Sequence, residues 1–273
     1  MSTRPPTAEL TKGLAALYRR YNRRSFVHPD PLELVYGYED PRDQEIAGLI
    51  SACLAYGRVA QILSSVARVL DLMIPGPRAH LEAVSEEELR AALGGFRHRF
   101  TGGSEMASLL VGIKRALSAH GSLEALFLSG MAAGDRTVLP GLAVFVDQLR
   151  EYAGGADACA SLLASPRDGS ACKRLNLYLR WMVRRDAVDP GPWTSVSPSL
   201  LVVPLDTHMF RIARSLGLTA RNQPDLKSAL EITEGFARFH PNDPVRYDFS
   251  LTRLGINPAC SEEDLQGLLK GNA

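Results

Sequence analysis

The sequence predicts an all-α protein, and three observations carry that expectation. Apolar residues recur at three- and four-residue steps along most of the 273-residue chain, no stretch shows sustained strand alternation, and 45% apolar residues supply the material for a globular core. The length is about twice that of a small domain, so residues 1–273 are expected to form a single unit with one large core or two intimate helical lobes.

Each element has its own signal. Between Asp43 and Met73, Ile46, Leu49, Ile50, Cys53 and Leu54 form one stripe, and Ile62, Leu63, Val66, Val69, Leu70 and Met73 form another beyond Gly57, which reads as two helices or one bent helix. Pro75, Gly76 and Pro77 end this unit, and Ser85 followed by Glu88 has the spacing of a capping box. The phrase FRHRF (96–100) lies between glycine pairs as a connector or binding edge, and Leu109, Leu110, Ile113 and Leu117 make a helical stripe from Met106 to His120. A further helix is expected over Leu142–Tyr152. A short one is expected over Asp157–Leu163, then a turn from Ser165 to Ser170, then a strong helix over Ala171–Arg185. Asp189, Pro190, Gly191 and Pro192 open an irregular connection, followed by helical patterns at Thr207–Leu216, Leu226–Phe239 and Val245–Leu254. Ser261, Glu262 and Glu263 read as the start of a tail helix with Leu265, Leu268 and Leu269 on its apolar face.

Composition narrows the function classes. Thirty-one Lys and Arg stand against 30 Asp and Glu, so any nucleic-acid surface has to be local. Cys53, Cys159, Cys172 and Cys260 are too dispersed for a disulfide scaffold, a zinc site or an iron-sulfur cluster, and the six histidines show no ligand spacing, so neither metal nor cofactor is expected. MSTRPPTAEL lacks the apolar core of a secretory signal, and no apolar run is long enough to span a bilayer, so the expected location is the cytoplasm.

The residues with chemical potential cluster in the second half. Lys173 follows a glycine-containing turn, and a neutral amine there is a nucleophile toward an electrophilic sugar carbon; equally, it reads as a phosphate-binding or exposed helix lysine. Asp206 opens DTHMFRIARSLGL, where a carboxylate either stabilises developing positive charge or caps the following helix, and the two roles can coexist. Residues 153–185 hold six cations (Arg167, Lys173, Arg174, Arg180, Arg184, Arg185) against Asp157 and Asp168, which suits phosphate neutralisation or a solvated helix. Backbone amides around Gly169 and Ser170 and the next helix start suit a phosphate. Trp193 is a candidate for stacking on an extruded base or for core packing. Gln44 and Asp248 suit hydrogen bonding to a base edge or ordinary helix-end and solvent-facing roles. Tyr56, Arg58 and residues 96–100 are weaker candidates for DNA contact.

These residues also carry a resemblance. From about Gly154 to Leu218 the chain resembles the helix-hairpin-helix DNA glycosylase superfamily, in its endonuclease III-like, lysine-and-aspartate branch. PLDTHMFRIARSLGL looks like the aspartate motif, with Asp206 in the catalytic position and His208 and Arg211 on the DNA side; ACKRLNLYLRWMVRR looks like the helix bearing the catalytic lysine, Lys173. Roughly residues 30–258, with LISACLAYGR and DPVRYDFSLTRLGI, resemble an uncharacterised bacterial family of that superfamily, and the long segment between Lys173 and Asp206 looks more like archaeal 8-oxoguanine DNA glycosylases. Two departures stand out: SPRDGSACK replaces the usual glycine, apolar, glycine turn, and the clustered C-terminal cysteines are missing.

The resemblance implies a two-lobed glycosylase with abasic-site β-lyase activity. It would act as a monomer on damaged double-stranded DNA, with 8-oxoguanine as leading substrate. Lys173 and Asp206 would be catalytic, with Gln44, Trp193 and Asp248 in the base pocket, and Arg58, Arg167, Gly169, Ser170, Arg174, His208 and Arg211 against the DNA. The alternatives are a glycosylase for another damaged purine, a noncatalytic DNA-binding protein on the same scaffold, and an RNA-processing or protein-interaction module.

Overall fold

The computed structural model describes residues 7–256 and Gly267, and within them the chain is mainly helical. The helices are α1 (Ala8–Tyr21), α2 (Pro41–Cys53), α3 (Val59–Leu70), α4 (Pro77–Ala83), α5 (Glu86–Ala92), α6 (Gly103–His120), α7 (Leu123–Leu128), α8 (Leu139–Tyr152), α9 (Lys173–Val183), α10 (Thr207–Ser215), α11 (Leu226–Ala237) and α12 (Asp248–Ile256). The predicted tail helix and Cys260 lie outside the described residues. No described helix is long and apolar enough to cross a membrane.

Helix ends follow the local chemistry. Thr7, Asp40, Ser122, Asp206 and Asp225 each accept a backbone N–H as N-caps, which satisfies donors that a helix start leaves open. The capping box at Ser85 and Glu88 is formed in both directions. The stripes between Asp43 and Met73 resolve into two helices, α2 and α3, separated at Gly57 with φ +99°.

α2 is the hub. Glu45 to Cys53 are all buried, and α2 packs on α9, α3, α4, α7 and the 3-10 segment Pro31–Gly37. Gly48 allows the close α2–α9 approach: a Cβ there would meet Met182 Cε at 2.7 Å and Tyr178 at 3.4 Å. α6 packs on α8, and α12 on α1 and α10, so one continuous apolar cluster runs from Leu10 to Leu254. Each large side chain fully buried there contributes roughly 1.5–3 kcal/mol.

One local expectation is corrected, and the connector FRHRF gains a defined shape. Asp157–Leu163 is a series of turns, because Gly154 and Gly155 at φ +113° and +127° break the chain direction and the segment is too short to nucleate a helix. FRHRF belongs to a small antiparallel hairpin, β1 (Arg97–His98) with β2 (Thr101–Gly102), in which His98 is buried and Arg97 and Arg99 face out.

Candidate active site

The turn before α9 is tightly wound. Gly169 takes φ +71° and Cys172 takes φ +46°, an uncommon conformation for a residue with a side chain. The Cys172 amide donates to Ser170 Oγ (3.1 Å), and Asn176 Nδ2 donates to Ala171 O (2.9 Å), which fixes the turn against the first turn of α9. Lys173 is the first residue of that helix. Burial pushes the Cys172 thiol up to about 11, so the sulfur beside Lys173 stays a thiol at neutral pH.

Asp206 arrives from the start of α10. Its Oδ1 accepts the Met209 amide (2.8 Å) as the N-cap, and its Oδ2 faces Lys173 Nζ at 3.7 Å. The carboxylate therefore caps α10 with one oxygen and turns the other toward the amine. The two side chains are 35% and 29% exposed, so a ligand can reach both. They lie on a cleft of about 820 Å³, walled by Pro29–Pro31, Ala55–Gly57, α9 and the start of α12.

A buried ionic network supports the cleft floor. Arg180 Nη1 donates to Asp248 Oδ2 (2.5 Å) and its Nε to Asp189 Oδ1 (3.2 Å). Arg184 binds Asp189, Asp243 (3.0 Å) and Asp186 (2.8 Å), and Tyr18 Oη donates to Asp186 (3.0 Å). Both guanidinium groups are 3% exposed; burial opposes their charge, but Asp189 and the other carboxylates hold them protonated. Asp248 lines the cleft, its carboxyl raised by burial against the pull of Arg180, and its Oδ1 has no hydrogen-bond partner. Arg253 and Asp30 close the same floor at 2.7 Å.

The remaining predicted residues scatter. Trp193 is corrected from base stacking to core: it is 3% exposed, packs against Phe127 and Tyr178 at ring distances of 5.5 and 5.4 Å, and donates Nε1–H to Glu45 Oε2 (3.0 Å). The connection carrying it folds back on α9, with the Gly191 and Trp193 amides donating to Trp181 O and Met182 O. Gly191 at φ +57° leaves no room for a Cβ beside Arg184 O. Gln44 donates to Tyr38 O (2.8 Å) and does not line the cleft. Its neighbour Glu45, which sequence reasoning passed over, accepts the Leu123 and Glu124 amides at the start of α7.

The basic run also changes meaning. Arg180 and Arg184 neutralise buried carboxylates, and Arg174 reaches Cys53 O (2.5 Å) and Ser161 O beneath the Tyr56 ring, so these three do not form an open phosphate surface. Arg167 is exposed and paired with Asp147 (2.8 Å); Arg58 is exposed at the start of α3. Gly169 is exposed and Ser170 lines the cleft. Arg211 donates to His208 Nδ1 (3.2 Å), and His208 Nε2 is buried without a partner.

The β1–β2 hairpin is fixed to the cleft rim. Tyr56 Oη donates to His98 O (2.9 Å) and lies 2.7 Å from Thr101 Oγ1, while His98 Nε2 donates to Tyr56 O (3.0 Å) and Nδ1 meets Ser65 Oγ (2.9 Å). Burial lowers the His98 pKa, and that of His208, below the usual histidine range. The unfolded chain therefore takes up protons first as pH falls below about 6.5, so this contribution to stability is present above that pH and lost on acidification. The thermal midpoint is expected to drop between pH 7 and 5, with a smaller drop in His98→Gln. Equal drops in the two proteins would remove His98 from this account.

The model of the DUF2400 family, described as protein of unknown function, matches residues 30–257. The chain belongs to the DUF2400 family. The match takes in Lys173, Asp206 and every cleft-lining residue except Pro29, so the cleft is a feature of the matched region and not of an appended segment. No curated protein and no solved structure matches the chain.

Proposed function

We propose that this DUF2400 protein is a DNA base-excision glycosylase with abasic-site β-lyase activity, with 8-oxoguanine as the leading substrate. The observation that carries this reading is the 3.7 Å approach of Lys173 Nζ to Asp206 Oδ2 on the wall of an open cleft, between residues 33 positions apart. The resemblance of the ACKRLNLYLRWMVRR and PLDTHMFRIARSLGL segments to the lysine- and aspartate-bearing motifs of two-lobed helix-hairpin-helix glycosylases supports it.

In this mechanism the extruded nucleotide enters the cleft, the Lys173 ammonium gives a proton to water, and the resulting amine bonds to C1′ as the bond from C1′ to the base breaks. The base departs with the bonding electron pair and takes up a proton from the ammonium just formed. Opening of the C1′–O4′ bond, with a proton from water to O4′, leaves an imine between Lys173 and C1′. Loss of a C2′ proton then expels the 3′ phosphate, and water hydrolyses the imine to restore the amine. The Asp206 carboxylate stabilises the positive charge that develops at C1′ and O4′. Of the three residues inferred to recognise the base, Asp248 lines the cleft.

Asp206→Asn separates the two roles of this side chain. Asn caps a helix about as well as Asp, so the thermal midpoint is expected to stay near wild type. Excision is expected to fall on the order of 10²-fold, the scale of losing one preorganised electrostatic group. Single-turnover rates with a parallel melting curve test this, and an unchanged rate would leave Asp206 as a cap alone.

A second reading, a glycosylase for another damaged purine, is favoured by one finding. Gln44 lies outside the cleft and Trp193 is packed in the core, so two of the three residues inferred for oxidised-guanine recognition are not at the candidate site. A panel of duplexes differing only in the damaged base distinguishes the readings. Release of 8-oxoguanine supports the first, release of alkylated or deaminated purines alone supports the second, and duplex binding without release of any base supports a noncatalytic DNA-binding protein.

A further inference from the structure

Three large apolar side chains among the described residues stand out from the surface: Leu72, Ile74 and Phe100. Leu72 and Ile74 flank a shallow groove near α4 and α5, away from the cleft. Phe100 is different in both place and support. It is 83% exposed at the tip of the β1–β2 hairpin, on a backbone otherwise anchored by the buried residues Phe96, His98 and Thr101. Arg99, with φ +52°, makes the left-handed step that turns the chain at this tip.

The tip is joined to the wall of the cleft. The Arg99 side chain packs directly on Gly57, where a Cβ would meet Arg99 Cδ at 2.7 Å and Nη1 at 2.9 Å, and both Gly57 and Tyr56 line the cleft. Phe100 is the next residue in the chain, and its ring lies 5.5 Å from the Arg99 guanidinium. Arg97 and Arg99 are exposed on the same hairpin, Arg58 is exposed next to Gly57, and no acidic residue occurs between Glu88 and Glu105. The result is an exposed aromatic tip on an anchored hairpin that carries two exposed arginines, next in the chain to a residue packed on the cleft wall.

We infer that Phe100 is the side chain that opens the duplex, entering the base stack beside the nucleotide drawn into the cleft while Arg58, Arg97 and Arg99 meet the flanking phosphates. An inserted apolar ring replaces stacking lost when a nucleotide leaves the helix, and fixed support keeps the ring aimed at the stack. This inference rests on the DNA reading above for its ligand. It does not depend on the chemistry at Lys173.

The test uses the full chain and a duplex with 2-aminopurine beside a 2′-fluorinated 8-oxoguanine nucleotide, which binds without being cleaved. Wild type is expected to raise 2-aminopurine fluorescence as the stack opens. Phe100→Ala is expected to need about 5- to 100-fold more protein for the same rise, the worth of one base–aromatic stack, and Phe100→Trp to restore it. Because Phe100 is exposed, melting curves of the three proteins should coincide. Equal opening by wild type and Phe100→Ala overturns the inference, as does duplex binding by wild type with no change in fluorescence. Opening that depends on Phe100, with no release of base from an ordinary 8-oxoguanine duplex, supports the tip assignment and overturns the catalytic reading instead.

Discussion

Lys173→Ala is expected to lose base release and the borohydride-trapped protein–DNA adduct by about 10³-fold or more, the scale seen when a nucleophile is removed from a catalytic unit. The amine is 35% exposed and meets Asp206 at 3.7 Å, so its contribution to stability is that of a surface ion pair, about 0–1 kcal/mol, and the variant should fold. Lys173→Arg sharpens the result. A guanidinium retains the positive charge and holds a phosphate, but it does not form the imine. If Lys173 only binds phosphate, arginine should preserve excision; if its nitrogen becomes bonded to the sugar, arginine should be as inactive as alanine while duplex affinity survives. The comparison is made by single-turnover base release and by titration of the same duplex at fixed salt.

Arg184→Ala is expected to be the most destabilising single change, at about 3–5 kcal/mol. Its guanidinium is buried and binds Asp186, Asp189 and Asp243, so removing it takes the shared cation from three clustered, largely buried carboxylates, of which Asp189 alone keeps an arginine partner, Arg180. For a protein of this size that corresponds to a fall in thermal midpoint of roughly 6–20 °C. Arg184→Lys should recover little, because one ammonium cannot reproduce a planar fork that reaches three partners. The same network holds α9 against the segment from Asp186 to Asp189, and through Arg180 against Asp248 on α12, so the variant that folds should also misplace the cleft floor. Thermal melts by circular dichroism measure the first effect, and a loss below 1 kcal/mol would show that the charges are solvated in the folded protein.

The helices were legible because their signals are local. The stripes of α2, α3 and α6, the capping box at Ser85 and Glu88, and the strong helix after Ser170 all depend on residues within a few turns of one another. The Lys173 and Asp206 pair was legible as two residue types with complementary chemistry, but their meeting depends on how α9 and α10 pack. What failed was decided at a distance. A tryptophan between prolines reads alike as a stacking surface or as core, and Trp193 became core through Glu45, 148 positions earlier. The cations of α9 read as a surface because their partners, Asp189, Asp243 and Asp248, lie outside the helix. Only the spacing of Arg180 and Arg184, one turn apart on the buried face, hints at an interior role. Short elements failed for another reason: neither Asp157–Leu163 nor the two-residue strands of the hairpin are long enough to generate a period.

The measurement that bears most directly on the central claim is borohydride trapping of wild-type protein during a single turnover on duplex DNA containing one 8-oxoguanine. Free base is detected alongside, and the modified peptide is located by mass spectrometry. The expected result is release of 8-oxoguanine with a sugar-derived adduct on Lys173. Base release with the adduct on another residue would contradict the assignment of the nucleophile. Folded protein that binds the duplex but gives neither base nor adduct, on this lesion or on the wider panel, would contradict the glycosylase reading itself.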